Sequence, residues 1–128
     1  MNDALGDPVT APDDDGRALA ILAARKADDR QASDIVVLDV GDVLSITGYF
    51  VIASAPNGRL VRNVADEIEL TIKEQLGRPP VRVEGLRESQ WTLIDYGDVV
   101  VHVFRDDMRE FYEIERLYGD VPRVSWNA

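Results

Sequence analysis

The alternation of apolar and polar positions divides the chain into eight elements. In "RALAILAARKADDR" (17–30), Leu19, Leu22 and Lys26 fall on one side of a helix whose start is marked by Asp15. "DIVVLDV" (34–40) is an unbroken, largely β-branched run, the pattern of a strand covered on both faces. The stretch "GDVLSITGY" (41–49) leads into a second apolar strand, "FVIAS" (50–54). In "APNGRLVRNVADEIELTIKEQLG", Val61, Val64, Ala65, Ile68 and Ile72 form one apolar helical stripe. Asn57 is placed to cap its start, and Gly77 ahead of Pro79-Pro80 ends it. "VRVEG" (81–85) is a short strand, so strand–helix–strand order predicts a right-handed crossover with 50–54 and 81–85 as a parallel pair. "QWTLIDYGDVVVHVF" (90–104) reads as a hairpin. A last helix begins at "DDMRE", with Asp107 and Glu110 spaced as a capping box and Phe111, Ile114 and Tyr118 on one face. The order α-β-β-α-β-β-β-α predicts a mixed α/β (α+β) domain, a mixed five-stranded sheet with flanking helices.

The hairpin carries unusual side chains. With Tyr96-Gly97 as its two-residue turn, Asp95 faces Asp98, Leu93 faces Val100 and Trp91 faces His102. Period-two alternation then puts Trp91, Leu93, Asp95, Asp98, Val100, His102 and Phe104 on one face. Thr92, Ile94, Val99, Val101 and Val103 make a plain core face on the other. The first face has three readings: packing beneath helices, a partner surface of aromatic anchors with a charged rim, or chemistry around the single His.

Composition narrows the choice. The chain of 128 residues suits one domain, and its balance of 45% hydrophobic to 30% charged residues is ordinary for a soluble globular protein. With no Cys and one His, disulfides, thiolate metal sites, Cys nucleophiles and two-His metal motifs are excluded. No apolar run reaches membrane-span length and the N-terminus is acidic, so a cytoplasmic protein is expected. Formal net charge is −10, and half of it lies in the first fifteen residues, where Asp3, Asp7, Asp13, Asp14 and Asp15 meet no base. Residues 1–16 therefore read as a disordered acidic leader, 17–120 as the domain and 121–128 as a C-terminal tail. An acidic body suits basic protein partners and lacks the electrostatic footprint of a nucleic-acid binder.

The catalytic reading finds little support. His102 has no marked nucleophile or pocket beside it. Two-metal phosphoryl transfer needs carboxylates converging from a strand, whereas Asp13/Asp15 lie in the leader, and Glu67/Glu69 and Glu113/Glu115 lie on helices. Residues two apart on a helix point about 200° apart. "APNGRL" has neither the glycines nor the Lys of a phosphate loop, and reads as an ordinary helix cap.

"YFVIAS" (49–54), "EG" (84–85), "WTLIDYGDVVVHVF" (91–104) and "REFYEIERLYGD" (109–120) resemble the ribosomal silencing factor family, also called Iojap or RsfS, from about Arg17 to Asp120. The chain departs from the family pattern at Gly48, where Asp is usual, at Leu60, where a polar residue is common, and at Tyr118, where Trp is frequent. The resemblance implies a fold similar to nucleotidyltransferases without their catalytic acids, no enzymatic activity and no cofactor or metal. It implies binding to large-subunit ribosomal protein fourteen on the intersubunit face of the large ribosomal subunit. Small-subunit joining would be blocked and translation repressed when nutrients are scarce. Carried over by motif position, the partner-binding residues would be Trp91, Leu93, Asp95, Tyr96, Asp98 and His102, with Arg109, Phe111 and Tyr112 nearby. Trp91 and Leu93 would be apolar anchors, Tyr96 an amphipathic contact at the turn, and Asp95 and Asp98 acceptors for Lys or Arg. A homodimer is also implied. The alternatives are a large-subunit assembly factor and a residual nucleotidyltransferase-like enzyme.

Overall fold

The computed structural model describes residues 11–86 and 90–127. They run as α1 (Ala11–Asp29), β1 (Ser33–Asp39), β2 (Tyr49–Ala55), α2 (Gly58–Leu76), β3 (Arg82–Leu86), β4 (Trp91–Asp95), β5 (Val99–Arg105), α3 (Asp106–Tyr112) and α4 (Ile114–Leu117). All five expected strands form one mixed sheet in the order β1-β2-β5-β4-β3. Only β2 and β5 pair in parallel; the other neighbours are antiparallel.

The sheet sorts its strands by how apolar they are. Every residue of β2 is buried, and β5 is nearly so, which puts these two at the centre. β3 alternates Arg82 and Glu84 with exposed Val83 and lies at an edge. The expected parallel pair of 50–54 with 81–85 is thus replaced: β5 and β4 lie between them. β1 also differs from expectation. It is an edge strand with an exposed, irregular start, and only Val37 and Leu38 are buried within it. Its free side is met by the chain's end, where Asp39 N–H donates to Pro122 O and Val124 N–H to Val37 O, both at 2.9 Å. Residues 121–127, expected as a tail, therefore run along the sheet edge, with Val124 buried and Trp126 packed on the core.

α1 starts at Ala11, six residues ahead of Arg17, so the part of the expected leader from 11 to 16 is helical; residues 1–10 lie outside the described residues. Pro12 falls in the first turn, where its missing N–H costs no intrahelical bond. Further along, Leu19, Ala20, Ala23, Ala24 and Ala27 are fully buried and bring the helix close to the sheet. α2 buries the expected stripe of Val61, Val64, Ala65, Ile68 and Ile72. Asn57 Oδ1 accepts the Leu60 N–H at 3.0 Å, and Gly77 closes the helix at φ 65°. Asn57→Ala is expected to cost about 1 kcal/mol, read as a lower urea midpoint with unchanged slope.

The capping box expected at Asp107 and Glu110 does not form. Arg105 occupies the N-cap and its side chain satisfies no backbone N–H of the first turn; its guanidinium instead holds the Asp107 carboxylate through contacts of 2.7 and 3.0 Å. Glu113 at φ 47° then breaks the expected single helix into α3 and α4. α1 and α2 cover one face of the sheet over the larger core. On the other face a smaller cluster of Leu38, Val40, Phe50, Ile52 and Phe104 is met by Leu44, Trp91, Met108, Ile114 and Tyr118.

Candidate partner-docking site

The hairpin pairs Trp91 with Phe104, Leu93 with His102 and Asp95 with Val100. Each β4 residue meets a partner two positions further along than expected. Gly97-Asp98 make the turn, with Tyr96 N–H donating to Val99 O at 2.8 Å and Gly97 at φ 92°. The displaced turn has a physical cause: Gly takes the positive φ required at its first central position, which Tyr96 would adopt only with strain. A slip of two residues preserves the faces. Trp91, Leu93, Asp95, Val100, His102 and Phe104 still share one side, the one that α3 and α4 only partly cover.

Trp91 and Leu93 are half-buried on that side. The Trp91 indole stacks on Phe104 with ring centroids 4.9 Å apart, and its Nε1–H donates to His102 Nδ1 at 3.2 Å. His102 is buried among these rings, with Phe50 edge-on at 4.8 Å. Burial pushes its pKa down to about 4, so the imidazole is neutral at physiological pH. A cleft of about 380 Å³ opens beside it, walled by Leu44, Phe50, Leu93 and Val100, with Arg82 and Asp95 also on its lining. Ile46 borders the same cleft and is 85% exposed.

The acids of the turn are already engaged. Asp95 Oδ1 accepts the Gly97 N–H at 2.8 Å, and Arg82 lies 3.5 Å from its other oxygen. Arg78 reaches both Asp98 oxygens at 2.8 and 3.1 Å and also donates to Tyr96 O at 2.9 Å. The hydrogen bond to Asp98 raises the Arg78 pKa. Asp98 is therefore a half-exposed brace of the turn rather than a free acceptor. Tyr96, expected as a contact at the turn, is 3% exposed and belongs to the core beneath α1 and α2. Arg109 is buried too; it donates to Ser54 Oγ at 2.7 Å and lines a different, polar cavity with Asp34, Asp106 and Glu110. The side chains of Phe111 and Tyr112 lie outside the described residues. Of the nine residues named from sequence, Trp91, Leu93, Asp95 and His102 are brought together, with Asp98 at the adjoining turn. Leu44, Ile46, Thr47 and Arg82 join them, and none of the four was singled out from the sequence.

A histidine held neutral by burial makes stability depend on pH. Between about 6.5 and about 4 the unfolded chain binds a proton at this site that the folded chain refuses. Stability from His102 is complete above the upper value and is lost as pH falls through that window, by an upper limit of about 3 kcal/mol. Urea unfolding at pH 7 and pH 4.5 should register this fall, and His102→Phe should flatten it. An unchanged slope in the variant would assign the dependence to carboxylates.

Among the described residues, no group of three or more His, Asp or Glu is placed to hold a metal ion, and no helix is long and apolar enough to cross a membrane. Fold and face together define a mixed α/β domain with a half-covered sheet surface of aromatic and aliphatic residues beside a braced, acidic turn. The chain belongs to the ribosomal silencing factor family: residues 13–128 match the family described as "Ribosomal silencing factor during starvation". It is 38% identical over 106 residues to the ribosomal silencing factor RsfS of Bacillus subtilis, covering 83% of this chain and 89% of that relative. A mouse relative, mitochondrial assembly of ribosomal large subunit protein 1, is 33% identical over 89 residues, covering 68% of this chain and 39% of its own length. A solved structure from Chromobacterium violaceum superposes with a TM-score of 0.76 at 32% identity, covering 87% of this chain and 91% of that one.

Proposed function

We propose that this protein represses translation by docking on the large ribosomal subunit and excluding the small one, acting by occupancy in the cytoplasm and without catalysis or a cofactor. The docking surface is the hairpin face, with Leu93 and Trp91 as anchors and large-subunit ribosomal protein fourteen as the partner. The observation that carries this reading is the apolar ground around Leu93, left uncovered by α3 and α4 and extended by Ile46. Apolar anchors within a charged rim are the usual anatomy of a protein-binding hot spot. Formal net charge of −10 adds attraction to a basic partner, which weakens as salt screens it.

Sedimentation with purified large subunits, followed by addition of small subunits, tests the proposal. Co-sedimentation with a diminished joined-ribosome peak is expected. Absence of binding would overturn the reading. Binding without an effect on joining would favour a second reading, an assembly factor for the large subunit, which the name of the mouse relative supports.

A further inference from the structure

Two residues that line the hairpin-side cleft each carry a buried polar atom with no hydrogen-bond partner among the described residues: His102 Nε2 and Thr47 Oγ1. His102 is 5% exposed and Thr47 8% exposed. Because Trp91 Nε1–H donates to His102 Nδ1, that nitrogen is the acceptor and the ring proton sits on Nε2. The fold thus leaves one N–H donor and one hydroxyl unused, and closed to water, on two residues that line a single cleft. An unmet buried polar group is costly, and a molecule that supplied its partner would recover that cost.

The rest of the cleft restricts what can enter. Leu44, Phe50, Leu93 and Val100 give it apolar walls, and its volume of about 380 Å³ is in the range of small-molecule sites. Its two charged lining residues, Arg82 and Asp95, lie 3.5 Å apart and offset one another. Neither an anion nor a cation is favoured. We infer that this cleft binds a small uncharged molecule with an apolar body and a carbonyl-type oxygen, which accepts from His102 Nε2–H and meets the Thr47 hydroxyl. The site is a property of the free protein and does not depend on ribosome binding.

The test uses the full chain and four probes of one shape: benzamide, benzoate, benzamidinium and toluene. The two indole N–H resonances report separately. That of Trp91 is coupled to His102, while that of Trp126 donates to Ile35 O on the opposite side of the sheet and is the internal reference. Millimolar benzamide should shift the Trp91 signal and spare Trp126. Toluene, which has no acceptor and so makes neither contact, should bind roughly thirtyfold more weakly, the worth of two hydrogen bonds of about 1 kcal/mol each. Benzoate and benzamidinium should also bind more weakly than benzamide. Thr47→Val keeps the volume and sacrifices no bond within the fold; it should weaken benzamide roughly fivefold, the worth of one hydrogen bond. His102→Phe keeps a ring at the site and removes the Nε2 donor, with the same expected loss; because it also removes the Nδ1 acceptor of Trp91, benzamide affinity in this variant is read from its thermal stabilisation. Failure of benzamide to perturb Trp91, binding of toluene as tight as that of benzamide, or benzamide affinity unaltered in both variants would overturn the inference.

Discussion

A chain ending at Asp120 is expected to lose about 3–5 kcal/mol of stability, a large share of what a small domain has. The segment it lacks is short but closely engaged. Val124 is 6% exposed, and burial of such a side chain contributes about 1.5–3 kcal/mol. Trp126 packs on the same core; its Nε1–H donates to Ile35 O at 3.3 Å, and its carbonyl accepts from Arg25 Nε at 2.9 Å. Two backbone bonds to β1 go as well, at about 0.5–1.5 kcal/mol each. The loss has a second consequence. Residues 122–124 occupy the outer side of β1, so truncation leaves an edge strand with unpaired backbone groups, open to a second chain. Urea unfolding followed by Trp91 fluorescence should show the lower midpoint, and size-exclusion chromatography should show concentration-dependent association. A truncated chain as stable and as monodisperse as the full one would mean that the edge contacts contribute nothing measurable.

That segment was barely legible in the sequence. "VPRVSWNA" is too short to show a period, and its pairing with β1 spans most of the chain length, so no local pattern announces it. Local signals were reliable where local physics decides: Asn57 and Gly77 bound α2 because a cap and a left-handed residue act within one turn. The hairpin shows both sides of this. Its faces were readable from alternation alone, and they survive a slip of two positions. Its register was set by Gly97 at positive φ, and the slip carried Tyr96 from the expected surface into the core. Strand order followed a competition no single segment reveals, in which the more apolar β5 displaced β3 from beside β2. Ile46 and Thr47 were missed for a similar reason. An apolar and a hydroxyl residue within a loop carry no periodic signal until the fold brings the loop against the sheet.

The decisive variant for the docking proposal is Leu93→Arg, expected to weaken co-sedimentation with large subunits by roughly thirtyfold, the equivalent of a hot-spot loss of about 2 kcal/mol. Leu93 is half-exposed and stands on the uncovered part of the sheet face. Its replacement keeps an aliphatic stem against the cleft while putting a charge where an apolar anchor is required. The fold should survive with little change in melting temperature. Other substitutions on this face are less discriminating, because the fold uses the same groups. Trp91→Ala removes a stacked ring from Phe104 and the donor to His102 Nδ1, at about 2–4 kcal/mol of stability. Asp98→Lys sets a cation against Arg78 and undoes the brace across the turn. Either would weaken binding through the fold even if the partner docked elsewhere. Leu93→Arg separates the two causes: weak binding by a chain that melts normally supports the hairpin face, and normal binding by that chain removes the face from the proposal.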